Sequence, residues 1–90
     1  MTIEERVRRG AALLDETYHR WWKYVRTTVG FFDMGNPNRC VLGQLYGSFG
    51  EGCAALRVSG FSNEFGFDTD GEDSYAMLQE LWRSTIEARR

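Results

Sequence analysis

Residues 38–52 constrain the fold of this chain most, because they combine its densest apolar run with four of its ten glycines. Glycine at this density permits a close backbone approach but costs chain entropy, so another element should pack tightly against the segment. An N-cap at Asn38 and a glycine stop at Gly47 predict one short helix. Ser48 then opens a capping box for a following helix, which Gly60 ends.

Both ends of the chain carry amphipathic patterns with a helical period. Thr2 and Glu5 form a capping box at the amino terminus. One apolar stripe follows at helical spacing: Ile3, Val7, Gly10, Ala11 and Leu14. Gly10 lies on this stripe, so a close contact with another element should offset its low helix propensity. The last helix is expected from Asp73 to Arg90. Its apolar stripe is the clearest in the chain: Tyr75, Leu78, Leu81, Trp82, Thr85 and Ile86.

A second helix, capped by Asp15 or Thr17, is expected to have two faces of different character. Its apolar face holds Tyr18, Trp21, Trp22, Val25 and Val29. Its opposite face is basic and holds His19, Arg20, Lys23 and Arg26. The β-branched run at residues 27–29 weakens the helix, which leaves a short extended segment open near residues 29–34.

These elements predict a mainly α fold. We expect a compact bundle of about four to five short helices that forms a single domain over residues 1–90. Residues 61–67 contain three phenylalanines, which is too many for a free loop. We therefore expect this segment to fold back as a lid on the core.

Composition excludes several classes of protein. A hydrophobic content of 42% with 14% aromatic residues excludes a disordered chain. No apolar run approaches the roughly 20 residues that cross a bilayer, and residues 2–9 are charged, unlike a signal peptide. We therefore expect a cytoplasmic protein that does not enter a membrane. Residues 1–26 carry a net charge of +2, residues 27–60 are neutral and residues 61–90 carry −4, so the middle should supply the core.

The two cysteines, Cys40 and Cys53, are too few for the disulfide framework of a small secreted domain. Two reduced thiols that act as small apolar residues are the favoured interpretation. A single structural bridge is the alternative, and the sequence does not decide between them.

No set of residues with a catalytic spacing is found. Cys40 could have a lowered pKa at a helix amino terminus, with His19 as its base, but no signature of a thiol enzyme surrounds it. An enzyme would need a polar cleft around Cys40, Gln44 and Tyr46. The acidic residues 68–73 resemble half a calcium loop, yet their glycine is fourth rather than sixth. We therefore expect no enzymatic activity, no cofactor and no metal.

Several segments occur in a distinctive order along the chain: Gly10-Ala11-Ala12-Leu13-Leu14-Asp15-Glu16, Trp21-Trp22, Cys40-Val41-Leu42-Gly43-Gln44-Leu45-Tyr46-Gly47, Gly66-Phe67-Asp68, and Tyr75 with Leu78 and Trp82. This order resembles a group of short uncharacterised proteins that actinobacteria and their bacteriophages encode. The octapeptide from Cys40 to Gly47 is its most specific part. The resemblance implies provenance, with the host cytoplasm as location if a phage encodes the protein, and it implies no activity.

Function is expected to lie in binding. The absence of a catalytic set and the phage-like provenance favour a small accessory protein that binds a host or phage protein, at an interface anchored by exposed apolar or aromatic residues. The basic face of the predicted second helix is the candidate partner-binding site: His19, Arg20, Lys23 and Arg26. The alternative is a nucleic-acid-binding protein that uses the basic faces of the first two helices, with Arg6, Arg8 and Arg9 as further contacts. Salt pairs with the acidic stretch from Glu64 to Asp73 would instead make the basic face purely structural.

Overall fold

The computed structural model describes residues 1–69, 71 and 74–90, and within these ranges all regular structure is helical. Four α-helices are present: α1 (Ile3–Thr17), α2 (Val41–Tyr46), α3 (Phe49–Leu56) and α4 (Tyr75–Glu87). Single 3₁₀ turns lie at Trp21–Tyr24 and Ser62–Phe65. The predicted mainly α bundle of short helices is therefore confirmed. None of the described helices is both long and apolar enough to cross a membrane.

Helix α1 begins at the predicted capping box. The Thr2 hydroxyl accepts the backbone N–H of Glu5 at 3.2 Å, and the Glu5 carboxylate accepts the Thr2 backbone N–H at 3.5 Å. The predicted stripe faces the core, where Val7, Gly10, Ala11 and Leu14 are buried. A Cβ on Gly10 would lie 2.0 Å from the Phe65 carbonyl oxygen, so the expected close contact at this glycine is present.

The prediction of a second helix after α1 is wrong, because only a 3₁₀ turn is formed there, at Trp21–Tyr24. Helix α1 continues to Thr17, Tyr18 is extended, and Arg20 has a left-handed backbone with a φ of 54°. This break reverses the chain, so that the following 3₁₀ turn directs Trp21 into the core. Trp21 and Val25 are buried as expected, but Val29 is 86% exposed because no helix holds it on their face.

Residues 29–34 form turns rather than an extended segment. The backbone N–H groups of Phe31 and Phe32 both donate to the Thr28 carbonyl oxygen at 3.0 Å. Gly30 has a φ of +91°, which glycine adopts without the strain that a side chain would introduce. This turn buries Phe32 and leaves Phe31 half-buried at the surface.

Helix α2 is capped by Cys40, not by Asn38 as the sequence predicted. The Cys40 thiol sulfur accepts the Gly43 backbone N–H at 3.3 Å. The Asn38 backbone N–H is itself held by the Asn36 side chain at 2.8 Å, in a turn that precedes the helix. Gly47 ends α2 as predicted, with a φ of +97°.

Helix α3 begins as predicted, since the Ser48 hydroxyl accepts the Glu51 backbone N–H at 3.1 Å. It ends at Leu56 rather than at Gly60, because Arg57 already has a left-handed backbone. Helix α3 packs closely on α2: a Cβ on Gly52 would lie 2.7 Å from the Leu42 side chain. Gly43 and Gly52 therefore allow close packing and Gly47 ends a helix, whereas a Cβ on Gly50 would have no neighbour within 4 Å.

Helix α4 places Trp82 at the centre of the core with no exposed surface. Phe67 stacks on Trp82 with ring centroids 5.5 Å apart, and Trp21 meets it edge-to-face at 5.9 Å. The predicted lid is thus present in Phe67 and the half-buried Phe65, whereas Phe61 is 42% exposed. Ser74 caps α4, whereas Asp73, where the last helix was expected to begin, lies outside the described residues.

Candidate functional site

All four predicted partner-binding residues are exposed, but they do not share a helix face. His19 and Arg20 lie in the break after α1, Lys23 belongs to the first 3₁₀ turn, and Arg26 follows that turn. The turn brings His19, Arg20 and Lys23 together on one short loop. Arg26 belongs to a separate cluster.

Three tyrosines gather beside this loop. The Tyr18 ring lies 6.0 Å from the Tyr24 ring and 5.7 Å from the Tyr46 ring, between ring centroids. Tyr24 is 59% exposed, and Tyr18 and Tyr46 are half-buried. Burial raises the pKa of the Tyr46 phenol. We call the combined surface the tyrosine–cation patch: Tyr18, His19, Arg20, Lys23, Tyr24 and Tyr46.

The cations of this patch have no acidic partner among the described residues. The two ion pairs found there join Arg83 to Glu80 and Arg89 to Asp15. The acidic stretch that was expected to pair with the basic face is described at Glu64 and Asp68, and neither carboxylate pairs with a cation of the patch. Over the part of the chain that is described, the intramolecular pairing interpretation is therefore not supported.

The loop that carries the patch is attached firmly to both terminal helices. Asp15 accepts the Trp21 indole N–H at 2.8 Å and pairs with the Arg89 guanidinium at 2.8 Å. Hydrogen bonding from Arg89 lowers the pKa of the Asp15 carboxyl below its ordinary value, against the opposing effect of its partial burial. Arg90 donates to the carbonyl oxygens of Trp22 and Val25. Tyr24 and Lys23 therefore project from a braced turn.

Arg26 is held by Gln44 instead. The Gln44 side-chain oxygen accepts the Arg26 backbone N–H at 2.7 Å, while its amide nitrogen donates to the carbonyl oxygens of Arg26 at 3.0 Å and Arg39 at 2.9 Å. The guanidiniums of both arginines lie over the Phe31 ring, with Cζ atoms 4.4 Å and 5.6 Å from its centroid. Arg26, Phe31 and Arg39 are widely spaced in the segment before α2, and no local sequence pattern indicates that they form a cluster.

A cavity of about 190 Å³ lies at the amino-terminal end of α2. It is lined by Met34, Gly35, Pro37, Cys40, Phe49, Asp68 and Tyr75. Within it, the Tyr75 hydroxyl donates a hydrogen bond to Asp68, which raises the pKa of Tyr75 to about 12. The cavity contains one residue of the cleft that an enzyme would need: it includes Cys40 but neither Gln44 nor Tyr46.

Burial raises the pKa of Cys40, contrary to the lowering considered for a cysteine at a helix amino terminus. Desolvation disfavours the thiolate more than the backbone N–H groups of Cys40, Leu42 and Gly43 favour it. Cys53 is also buried with a raised pKa, and both thiols are free. Among the described side chains, no group of three His, Cys, Asp or Glu residues could hold a metal ion.

The sequence did not indicate Tyr46 or Arg39 as surface partners of the first basic segment. Tyr46 lies in the octapeptide from Cys40 to Gly47 and was considered only as part of the cleft that an enzyme would need. The structure assigns that octapeptide several tasks: Cys40 caps α2, Gln44 binds two backbone segments, Tyr46 joins the tyrosine cluster and Gly47 ends the helix.

No protein-family model matches the chain, and no match was found among curated proteins or solved structures.

Proposed function

We propose that the protein is a small accessory protein that binds another protein through the tyrosine–cation patch. The observation that carries the proposal is the exposed Tyr24, whose ring lies beside the half-buried Tyr18, which in turn contacts Tyr46. Arg20 and Lys23 lie on the same loop, and neither has an acidic partner in the described structure. Tyrosine and arginine are enriched at the centres of protein interfaces, where a rigid ring contributes contact area at a low entropic cost.

The braced turn supports this interpretation. Ordering a loop during association lowers affinity, and a loop that is already ordered avoids this cost. Within the loop from His19 to Tyr24, the Trp21 indole N–H donates to Asp15 of α1, and the Trp22 carbonyl oxygen accepts a hydrogen bond from Arg90, just after α4. Its left-handed residue, Arg20, creates the sharp bend that presents Tyr24 to solvent.

The resemblance carried by the octapeptide extends the proposal to provenance and location. We propose a phage-encoded protein that acts in the cytoplasm of an actinobacterial host, with a host or phage protein as partner. Neither catalysis nor a cofactor forms part of the proposed role.

The nucleic-acid alternative has less support. Its two basic faces would need to form one continuous cationic surface along the phosphates. The predicted second helix is not formed, and the Arg9 guanidinium lies over the Phe65 ring, 4.6 Å from its centroid. The net charge of −2 also disfavours a long polyanion.

The decisive experiment is a quantitative affinity capture from actinobacterial lysate, read by mass spectrometry, with matched variants. Tyr24→Ala should lower recovery of the specific partner about tenfold, as truncation of an interface anchor does. Phe61→Ala is the matched control, because Phe61 is a similarly exposed aromatic residue outside the patch. Arg20→Glu combined with Lys23→Glu should slow association, most strongly at low salt.

Arg8 separates the two candidate functions. It is exposed on α1 and belongs to the surface that nucleic-acid binding would use. Arg8→Glu should leave capture of a protein partner unchanged but should weaken binding to a fluorescent oligonucleotide if the alternative holds. Equal capture by wild type and Tyr24→Ala would remove the patch as the binding site.

A further inference from the structure

The cluster of Arg26, Phe31 and Arg39 has the features of a built anion-binding site. Both arginines are exposed, yet both guanidiniums lie over the same half-buried ring, at 4.4 Å and 5.6 Å from its centroid. Contact with an aromatic face restricts a guanidinium while its N–H donors stay available at its edge. The two side chains are therefore ordered before any ligand arrives.

Gln44 fixes the spacing of the two arginines through their backbones. Its side chain accepts the Arg26 N–H and donates to the carbonyl oxygens of both Arg26 and Arg39. These segments are separated in sequence, and one amide side chain joins them in three hydrogen bonds. The position of the pair thus depends on the fold and not on a flexible loop.

The charges of this pair are uncompensated within the described residues. No carboxylate there forms an ion pair with Arg26 or Arg39. Asp33 is the nearest acidic residue along the backbone, where its N–H donates to the Arg39 carbonyl oxygen at 3.5 Å. One Asp33 carboxylate oxygen accepts the Gly35 N–H at 2.9 Å, within its own turn. Two like charges beside one ring repel each other until an anion binds.

We propose that Arg26 and Arg39 form a fork that binds the carboxylates of an acidic peptide segment. The inference rests on the proposed function, and it names the chemistry of the protein partner. Guanidiniums bind carboxylates in a bidentate manner, with charge-assisted hydrogen bonds that are stronger than neutral ones. A segment with successive Asp or Glu residues supplies such carboxylates along an extended chain.

A peptide fits this site better than a nucleic acid. Single-stranded nucleic acid is held by stacking of bases on free aromatic faces. At Phe31 two guanidiniums already lie 4.4 Å and 5.6 Å from the ring centroid, and they would compete with a base for the ring. The chain's net charge of −2 also acts against a long polyanion more than against a short peptide.

The test uses a fluorescein-labelled hexaglutamate peptide and the intact chain, with binding followed by fluorescence anisotropy at low ionic strength. Arg26→Gln combined with Arg39→Gln should weaken hexaglutamate binding about tenfold or more, because both charge-assisted contacts are lost. Arg8→Gln is the matched control, since it removes an equally exposed charge from α1. It should change the affinity by less than about twofold if non-specific attraction is small.

The double lysine variant, Arg26→Lys with Arg39→Lys, tests the fork itself. Lysine keeps the charge but lacks the planar pair of donors, so an affinity well below that of wild type is expected. Wild-type affinity in the lysine variant would overturn the bidentate fork. Since Gln44 binds the backbones, these variants should keep the wild-type melting temperature, which circular dichroism checks directly.

The remaining outcomes are distinct. Titration of wild type with hexaglutamate should shift the NMR signals of the Phe31 ring. Absence of binding, or equal binding by wild type and the double glutamine variant, overturns the fork. Tighter binding of an oligothymidylate than of hexaglutamate, lost in the same variant, would replace the peptide with a nucleic acid. A partner whose capture depends on Tyr24 but not on Arg26 and Arg39 would retain the proposed function and reject this inference alone.

Discussion

The Trp82 indole N–H donates to the Gly66 carbonyl oxygen at 2.6 Å, in the most buried part of the molecule. This bond joins α4 to the segment that carries Phe67, and it satisfies the one polar atom of a ring that is otherwise surrounded by apolar groups. A buried indole without an acceptor would cost free energy. The position of the aromatic core therefore depends on a backbone carbonyl as well as on packing.

Replacement of Trp82 by alanine should lower the free energy of unfolding by about 3–5 kcal/mol, because it removes a fully buried indole and leaves a cavity. For a domain of this size, that loss approaches the whole stability. Thermal or urea unfolding measures it. Met77→Ala on the same helix is the control, since Met77 is 51% exposed and should have little effect. A cooperative transition of Trp82→Ala within a few degrees of wild type would show that the core is assigned wrongly.

Two glycine-to-alanine substitutions should have opposite effects on stability. Alanine normally stabilises a helix by about 1 kcal/mol relative to glycine. At Gly10 the new Cβ would lie 2.0 Å from the Phe65 carbonyl oxygen, so the backbone has to shift and the variant should be less stable. At Gly50 nothing lies within 4 Å, and Gly50→Ala should be more stable. Equilibrium urea unfolding of both variants compares them, and stabilisation of Gly10→Ala would contradict the close packing of α1 on the second 3₁₀ turn.

The Asp15–Arg89 pair should contribute to stability only above an acidic threshold. In the folded protein, the hydrogen bonds from Arg89 lower the pKa of the Asp15 carboxyl from its ordinary value of 3.8. A carboxyl with a depressed folded pKa contributes stability above its unfolded pKa and loses it as pH falls through the folded pKa. The difference in unfolding free energy between wild type and Asp15→Asn should therefore be constant near neutral pH, begin to decrease near 3.8 and disappear only below the lower folded pKa of Asp15.

The size of that effect should be modest, because 43% of the Asp15 side chain is exposed and solvent screens the pair. Denaturant unfolding across the acidic range measures it. Asp33→Asn is a suitable control, since its carboxylate caps a local turn and forms no ion pair in the described structure. A difference that persists unchanged at the lowest pH would mean that Asp15 acts through its bond to Trp21 rather than through its charge.

The hydrogen bond from Tyr75 to Asp68 should be visible in a tyrosine titration. It raises the pKa of Tyr75 to about 12, from an ordinary value of 10.0, because the neighbouring carboxylate disfavours the phenolate. Asp68→Asn removes that charge and should move the Tyr75 transition down toward 10.0. NMR of ring-labelled tyrosine follows the titration, with Tyr75→Phe to assign the signal. An unchanged transition in Asp68→Asn would indicate that burial, not Asp68, raises the pKa.

Local patterns in the sequence determined the elements that a helical period can specify. The capping box at Thr2, the buried stripe of α1 and the burial of Trp82 were all predicted correctly, since each depends on residues a few positions apart. The glycine stop at Gly47 and the cap at Ser48 were correct for the same reason. The mainly α class followed from these elements together.

The prediction of a second helix was wrong because tertiary contacts, which the sequence pattern does not show, break the chain there. Residues 18–26 have a helical pattern. The Trp21 indole N–H nevertheless donates to Asp15, and the Trp21 ring packs edge-to-face on Trp82. Because these contacts require a turn, the chain bends at Arg20 and does not continue as a helix. The same reversal placed His19 and Lys23 beside Tyr24. It also separated Arg26 from them. The hydrophobic periodicity of a segment cannot predict a helix break that is stabilised by side chains distant in sequence.

The sequence by itself determined a small, mainly α domain, the core positions of its two long helices and a basic first segment that reaches solvent. The tertiary structure alone decided which groups surround those cations. Tyr46 meets Tyr18, and Gln44 joins Arg26 to Arg39, through contacts that link α2 to residues far away along the chain. Periodicity reports which face of an element is apolar, whereas a surface site depends on how separate elements are packed together, and that packing is a property of the whole chain.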